Sequence, residues 1–303
     1  MRIASFSLDG QTQRRVGIVH DLGDAGSLRP DSRIVLIDIT STRKNLESPL
    51  DVIKAVDQGL VRDVERAIRR APTREIEFRQ LHAPVQHPGK FLAIGFNYRA
   101  HAEEVRTEIA EHPLFFNKQV TCVSGPSSPI PLPAGCTMLD YEGELAFVVS
   151  RRCSNVSSGR AGDVIGAWMV CNDVSARDWQ RESRTVTMGK SHDGFGPIGP
   201  WLVTRDEVDD PAALRIETRV NGELRQSGST SEMIFDLGAQ LAYLSARCTL
   251  EPGDIITTGS PAGSAQGMDP PPWLKVGDVV RIDIPGVGAV QNEVIDERRR
   301  PGT

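Results

Sequence analysis

Cysteine is scarce: five in 303 residues, at positions 122, 136, 153, 171 and 248, with no C-x-x-C pair. That odd, scattered set argues against a disulfide framework and against a zinc ribbon, and it fits a reducing compartment. Long apolar runs are missing too; none approaches the ~18 residues of a membrane span. The opening stretch, MRIASFSLDGQ, lacks the apolar core of a secretory leader. A soluble cytoplasmic chain is therefore expected. Nor is there an excess of basic charge: 35 Lys+Arg stand against 40 Asp+Glu, a formal net charge of −5. Such a chain is not drawn to nucleic acid or to an anionic membrane, so neither is expected as a partner.

What the sequence does have is turn formers. Its 28 Gly and 20 Pro exceed the needs of a helical bundle and imply many strands. Residues 2–7 and 14–19 flank Asp9-Gly10 as a hairpin. Ser48-Pro49 opens a helix, with Ser as N-cap and Pro in the first position, and Gly59 ends or breaks it. Val61, Val64 and Ile68 continue at helical spacing. The turn-rich stretch 83–89 then reads as a boundary. Beyond it come strand-length apolar runs at 91–96, 144–149 and 164–171, and β-branched runs after the turns at 252–254 and 276–278. One clear helix repeats Ile234, Leu237, Leu241 and Leu244, with Asp236 placed to cap it. The predicted fold is α+β and β-rich: a small N-terminal unit (1–84), a larger domain (85–297) and a tail (298–303).

Five stretches carry candidate chemistry. Glu142 and Glu144 are two apart where an apolar strand begins, so they share a face and repel unless a cation lies between them; a solvated strand end is the plain alternative. Asp173 follows the apolar run 164–171 and could join that pair or cap a helix starting at Val174. Three carboxylates on one ion would favour a hard cation, Mg²⁺ or Mn²⁺. His101 and Glu104 lie one turn apart if the chain turns helical after Tyr98. A carboxylate there would fix the imidazole's tautomer and prepare a general base; a surface pair is the alternative. Gly194-x-Gly196-x-x-Gly199 is followed by Pro200 and an extended segment rather than a helix, which excludes a dinucleotide site. Lys190 lies in the same glycine-rich loop with little support from spacing alone. Residues 257–263, T-T-G-S-P-A-G, form a glycine loop able to hold an anion or merely to turn.

In this order, G-F-N-Y-R-A-H-A-E-E, D-Y-E-G-E-L, N-D-V-S-A-R-D-W-Q, G-K and L-E-P-G-D-I-I-T-T-G-S-P-A-G resemble the fumarylacetoacetate hydrolase family over about residues 85–297. The resemblance implies a roll of mixed sheets, usually a homodimer. It implies Mg²⁺ or Mn²⁺ on Glu142, Glu144 and Asp173, and a water-activating pair, His101 and Glu104, on a short lid helix. Lys190, Arg177 and Gln180 would contact substrate, and Thr258 and Gly259 would hold a substrate carboxylate or carbonyl. The implied activity is hydrolysis of a carbon–carbon bond in an acylpyruvate or related β-diketo acid, with an anionic 2-oxo acid as substrate. Decarboxylation or isomerisation of a 2-oxo diacid on the same site is the alternative. Two positions depart from the family's common pattern: Gln119 follows Lys118 where Pro is frequent, and Ser260 stands where Thr is usual.

Overall fold

The computed structural model describes residues 1–21, 28–40, 42 and 45–299; the end of the expected tail, 300–303, lies outside the described residues. Strands dominate, as the glycine and proline content predicts. The largest sheet runs in the order Thr73–Glu77, Arg33–Asp38, Arg15–Asp21, Arg2–Phe6, Gly196–Thr204, Ile165–Asn172, Gly143–Val149, Ile255–Thr257, Phe91–Gly95, Leu114–Lys118. A five-stranded sheet, Glu223–Ser229, Arg215–Val220, Val279–Ile284, Gly288–Asp296 and Ile130–Leu132, lies beside it. Both sheets are mixed: Ile255–Thr257 runs parallel to Phe91–Gly95, and Gly288–Asp296 parallel to Ile130–Leu132.

The expected hairpin forms, with Ile3 opposite Ile18 and Phe6 opposite Arg15. Its first strand also pairs with the larger domain, Arg2 to Val203 and Ile3 to Leu202. The first 84 residues thus extend the main sheet rather than building one of their own. Helix α1 (Pro49–Asp57) starts at the predicted cap, where Ser48 and Asp51 complete a reciprocal capping box, and Gly59 follows its end at φ +79°. Helix α2 (Val61–Arg70) follows, and further on come α3 (Arg99–Glu104), α4 (Arg177–Glu182) and α5 (Leu237–Ser245). Asp236 caps α5, its carboxylate accepting from Ala239 N–H at 2.7 Å.

Gly143–Val149 is buried at every residue. A run that is apolar on both faces fits a central strand covered on both sides. Two glycines permit the cover. A Cβ at Gly166 would stand 2.6 Å from the Cγ2 of Ile53 on α1, and one at Gly143 would stand 2.2 Å from the Thr218 hydroxyl of the second sheet. The second contact presses the five-stranded sheet against the start of the strand that carries Glu144 and directly follows Glu142.

Asp38, fully buried at the end of its strand, anchors the N-terminal unit. It accepts from Arg15 at 2.6 and 2.8 Å and from the Thr40 hydroxyl at 2.8 Å. Burial alone would raise its carboxyl, but the bonds from Arg15 and Thr40 together hold it below the ordinary range. A lowered folded-state value stabilises above the unfolded value of about 3.9 and loses that stabilisation as pH falls through the folded one. Asp38→Asn is expected to cost about 2 kcal/mol near pH 7. Urea melts should show the gap to the wild type narrowing as pH falls below the unfolded value of about 3.9 and through the lower folded one; a gap unchanged from pH 7 down to the acid limit of folding would refute the assignment.

Candidate metal and acid–base site

The three predicted carboxylates meet because two central strands end together. Gly143 pairs with Asn172 and Glu144 with Cys171, so Glu142 and Asp173 lie opposite one another, and Asp173 N–H donates to the Glu142 carbonyl at 2.9 Å. Cross-strand partners share a face. One oxygen from each of Glu142, Glu144 and Asp173 therefore falls within 4.8 Å of the others, and all three residues are buried. Asp173 caps no helix: α4 begins only at Arg177, with Ala176 before it.

Three buried cations enter the same cluster. Lys190 Nζ lies 2.5 Å from Glu142 Oε2 and 2.7 Å from Asp173 Oδ2. Arg177 donates Nη2 to Glu142 at 2.5 Å, Nε to Asp140 at 2.9 Å and Nη1 to the Gln180 amide oxygen at 3.0 Å. Lys118 Nζ lies 2.5 Å from Asp173 Oδ1 and also donates to the Lys190 carbonyl. These contacts split the carboxylates electrostatically. For Glu142, burial would raise the carboxyl, but Arg177 and Lys190 together outweigh it and hold it well below the ordinary range. Glu144 accepts the Gly259 N–H at 2.9 Å and has no ion pair among the described residues. Burial, reinforced by the charges of Asp173 and Glu142, pushes its carboxyl well above the ordinary range.

This donor set fits a hard divalent cation. It is all oxygen, convergent and buried, and among the described residues Glu144 has no cation in the ion-pair contact that a buried carboxylate requires. Asp140, Glu142, Glu144 and Asp173 face Lys118, Lys190 and Arg177, a net charge of −1. A divalent ion would turn that to +1, favourable to an anionic ligand.

His101 and Glu104 form their pair on α3, with Nδ1 2.7 Å from Glu104 Oε1. A carboxylate only accepts, so Nδ1 carries the proton and Nε2, 4.0 Å from Glu142 Oε1, is left to accept. Asn97 fixes the entry to the helix. Its side chain donates to the carbonyls of Phe235 and Thr258 and accepts from Phe235 N–H. Phe96 stacks on His101 at 5.9 Å. The glycine loop does bind anions, as one of its two readings holds, and those anions belong to the protein. Gly259 N–H serves Glu144, and Gly263 N–H serves Glu104 at 2.9 Å. A Cβ at Gly267 would lie 2.5 Å from the Glu104 carboxyl carbon. Thr258 donates its hydroxyl to the Leu145 carbonyl at 3.0 Å and lies outside the cavity lining.

The cavity at this cluster has a volume of about 40 Å³ and is reached by His101, Glu142, Glu144, Arg177, Gln180 and Lys190. A larger groove of about 810 Å³ lies elsewhere, along Arg215–Val220 and Val279–Ile284, where Arg219 and Arg281 pair with Glu217 and Asp283. Those two arginines are spent on these neighbours, and the groove holds none of the carboxylates above.

Lys118 and Asp140 are the site residues that the sequence reading missed. Period-two alternation was the available signal for Lys118, since it places Lys118 on the face of Leu114 and Phe116. One of the two departures from the family pattern acquires a reason, and nothing in the structure explains the other, Ser260. Gln119 donates its N–H to the Ser191 hydroxyl at 2.9 Å, a bond no proline can make. Ser260 accepts from the Gln226 amide at 2.6 Å and lines the cavity.

The model of the fumarylacetoacetate (FAA) hydrolase C-terminal region matches residues 90–295. The chain belongs to the fumarylacetoacetate hydrolase family. Among its relatives, the mitochondrial oxaloacetate tautomerase of Xenopus laevis is 35% identical over 300 residues, 97% of this chain and 90% of that protein. Two solved structures resemble this one along nearly the whole chain. The fumarylacetoacetate hydrolase of Exiguobacterium antarcticum is 37% identical with a TM-score of 0.82, covering 98% of this chain and 99% of its own. The maleylpyruvate hydrolase of Sphingobium sp. SYK-6, in complex with manganese(II) and pyruvate, is 30% identical with a TM-score of 0.77 and the same coverage. These relatives include hydrolases and a tautomerase, so the family supports an enzyme of the hydrolase, isomerase or decarboxylase kind. No helix of the described residues is long and apolar enough to cross a membrane.

Proposed function

We propose that this chain is a Mg²⁺- or Mn²⁺-dependent hydrolase of a carbon–carbon bond in an acylpyruvate or related β-diketo acid. The observation that carries the reading is the buried three-carboxylate cluster, faced by the free nitrogen of an oriented His101–Glu104 pair. A divalent ion held by Glu142, Glu144 and Asp173 would supply Lewis acidity toward a 2-oxo acid. The rest falls to the chain. His101 Nε2 takes a proton from water while Glu104, held by Gly263 N–H, keeps the ring in the required tautomer. Lys190 and Arg177 bring positive charge to where an enolate oxygen develops. Gln180, bonded to Arg177, lines the path of the substrate's acid end. Thr258 and Gly259 are already bonded to Leu145 and Glu144, so in this reading substrate recognition rests on Arg177, Gln180 and Lys190.

A tautomerase or decarboxylase of a 2-oxo diacid is the second reading. It is favoured by the Xenopus relative, which matches nearly the whole chain. Both readings need the enolate; only hydrolysis needs the attacking water. The protein stripped with EDTA and reloaded with Mg²⁺ or Mn²⁺ is expected to convert an acylpyruvate to pyruvate and a carboxylic acid, identified by mass spectrometry. Conversion of oxaloacetate with no acylpyruvate cleaved would move the assignment to the second reading.

A further inference from the structure

The charged end of the cavity is opposed by an apolar wall. Leu114 and Phe116 come from one strand and Ile94 from its neighbour, and Val186 closes the loop side. The wall continues outward. A second chamber of about 100 Å³ shares Gly95, Phe96 and Leu114 with the first and adds Ala110 and Phe235. Its ionisable lining groups are Glu108 and His112, and among the described lining residues of both chambers Lys and Arg occur only as Lys190 and Arg177, at the inner end. Those two are already engaged by Glu142, Asp173 and Asp140. Leu114 bridges the chambers and is 47% exposed, which places it at the mouth.

A substrate whose 2-oxo acid lies at the charged end must send its other end past Phe96 and Leu114. A carboxylate there would give up water against a mostly apolar surface, with the Thr107 hydroxyl and the His112 ring as its polar partners, no Lys or Arg to meet it and Glu108 nearby, an unfavourable exchange. An alkyl chain would gain from the same burial. We infer that the outer chamber selects a substrate with an uncharged alkyl group longer than acetyl, and that Leu114 is the residue that sets this preference against dicarboxylic substrates. The inference rests on the acylpyruvate reading above.

The test measures kcat/KM of the Mn²⁺-loaded protein for acetylpyruvate, butanoylpyruvate and fumarylpyruvate. Two added methylenes should raise kcat/KM on the order of tenfold from acetyl to butanoyl. Fumarylpyruvate, whose distal end is a carboxylate, should fall at least about tenfold below butanoylpyruvate. Leu114→Arg should close most of that second gap, while the uncharged Leu114→Gln should leave fumarylpyruvate disfavoured. The wild-type series decides the preference whether or not either variant folds. Equal rates across the series, or a preference for fumarylpyruvate, would overturn the inference and leave the hydrolase reading standing. A preference that persists in folded Leu114→Arg would remove Leu114 from the role. No cleavage of any acylpyruvate would overturn the hydrolase reading itself, and the inference with it.

Discussion

With Glu144 replaced by glutamine, the protein is expected to lose its metal-dependent turnover by at least about a thousandfold yet melt in EDTA no lower than the wild type. Glu142→Gln, two residues away, should lose turnover as fully and also lose about 2–3 kcal/mol of stability in EDTA. The difference follows from their partners. Glu142 neutralises Arg177 and Lys190 at 2.5 Å each, and removing its charge leaves two buried cations short of an anion. Asp140 and Asp173 still hold one bond to each, which keeps the loss toward the low end for a broken buried pair. Glu144 has no such cation. A glutamine there keeps the acceptor for Gly259 N–H and relieves repulsion from Asp173 and Glu142. Added Mn²⁺ should raise the wild-type melting temperature, by an amount equivalent to about 2.7 kcal/mol at a hundredfold excess over its dissociation constant. It should leave the Glu144→Gln temperature unmoved. Equal destabilisation of the two variants in EDTA would contradict the charge assignment.

The parts of the site that follow strand periodicity were legible in the sequence. Glu142, Glu144 and Asp173 bracket two apolar runs; spacing put the two glutamates on one face, and it was the family resemblance that joined Asp173 to them, a meeting made by antiparallel pairing of those runs. The His101–Glu104 pair was legible for the same reason, being one helical turn apart. The caps at Ser48 and Asp236 were legible because capping is local chemistry. What escaped depends on contacts between distant segments. Lys118 reaches Asp173 across 55 positions and Asp140 receives Ala265 N–H across 125; alternation gives the face on which Lys118 lies, but no local pattern names either partner. The glycine loop had the composition of an anion cradle, but composition could not say that its anions would be Glu104 and Glu144. The joining of the first 84 residues to the main sheet was hidden likewise, because a strand edge does not name its partner in sequence.

Replacing His101 by alanine is expected to separate two kinds of chemistry that share the carboxylate cluster. Acylpyruvate cleavage should fall by about a thousandfold, the usual loss when a positioned general base is removed. Any metal-dependent decarboxylation of oxaloacetate should fall by less than about tenfold, because it needs stabilisation of an enolate but no proton taken from water. The geometry supports the separation. His101 Nε2 stands 4.0 Å from the nearest Glu142 oxygen, whereas Lys190 and Arg177 contact that carboxylate directly. Removing the imidazole therefore leaves the charges that would stabilise an enolate in place. Glu104→Gln should give a smaller loss of cleavage than His101→Ala, since the ring stays but its tautomer is no longer enforced. It should also loosen α3, because Gly263 N–H then meets a neutral acceptor in place of a carboxylate. Parallel rate measurements on the two substrates with the same enzyme preparations decide the matter. Equal loss of both activities in His101→Ala would mean that the imidazole serves enolate formation itself, and the division of labour between α3 and the cation cluster would fall.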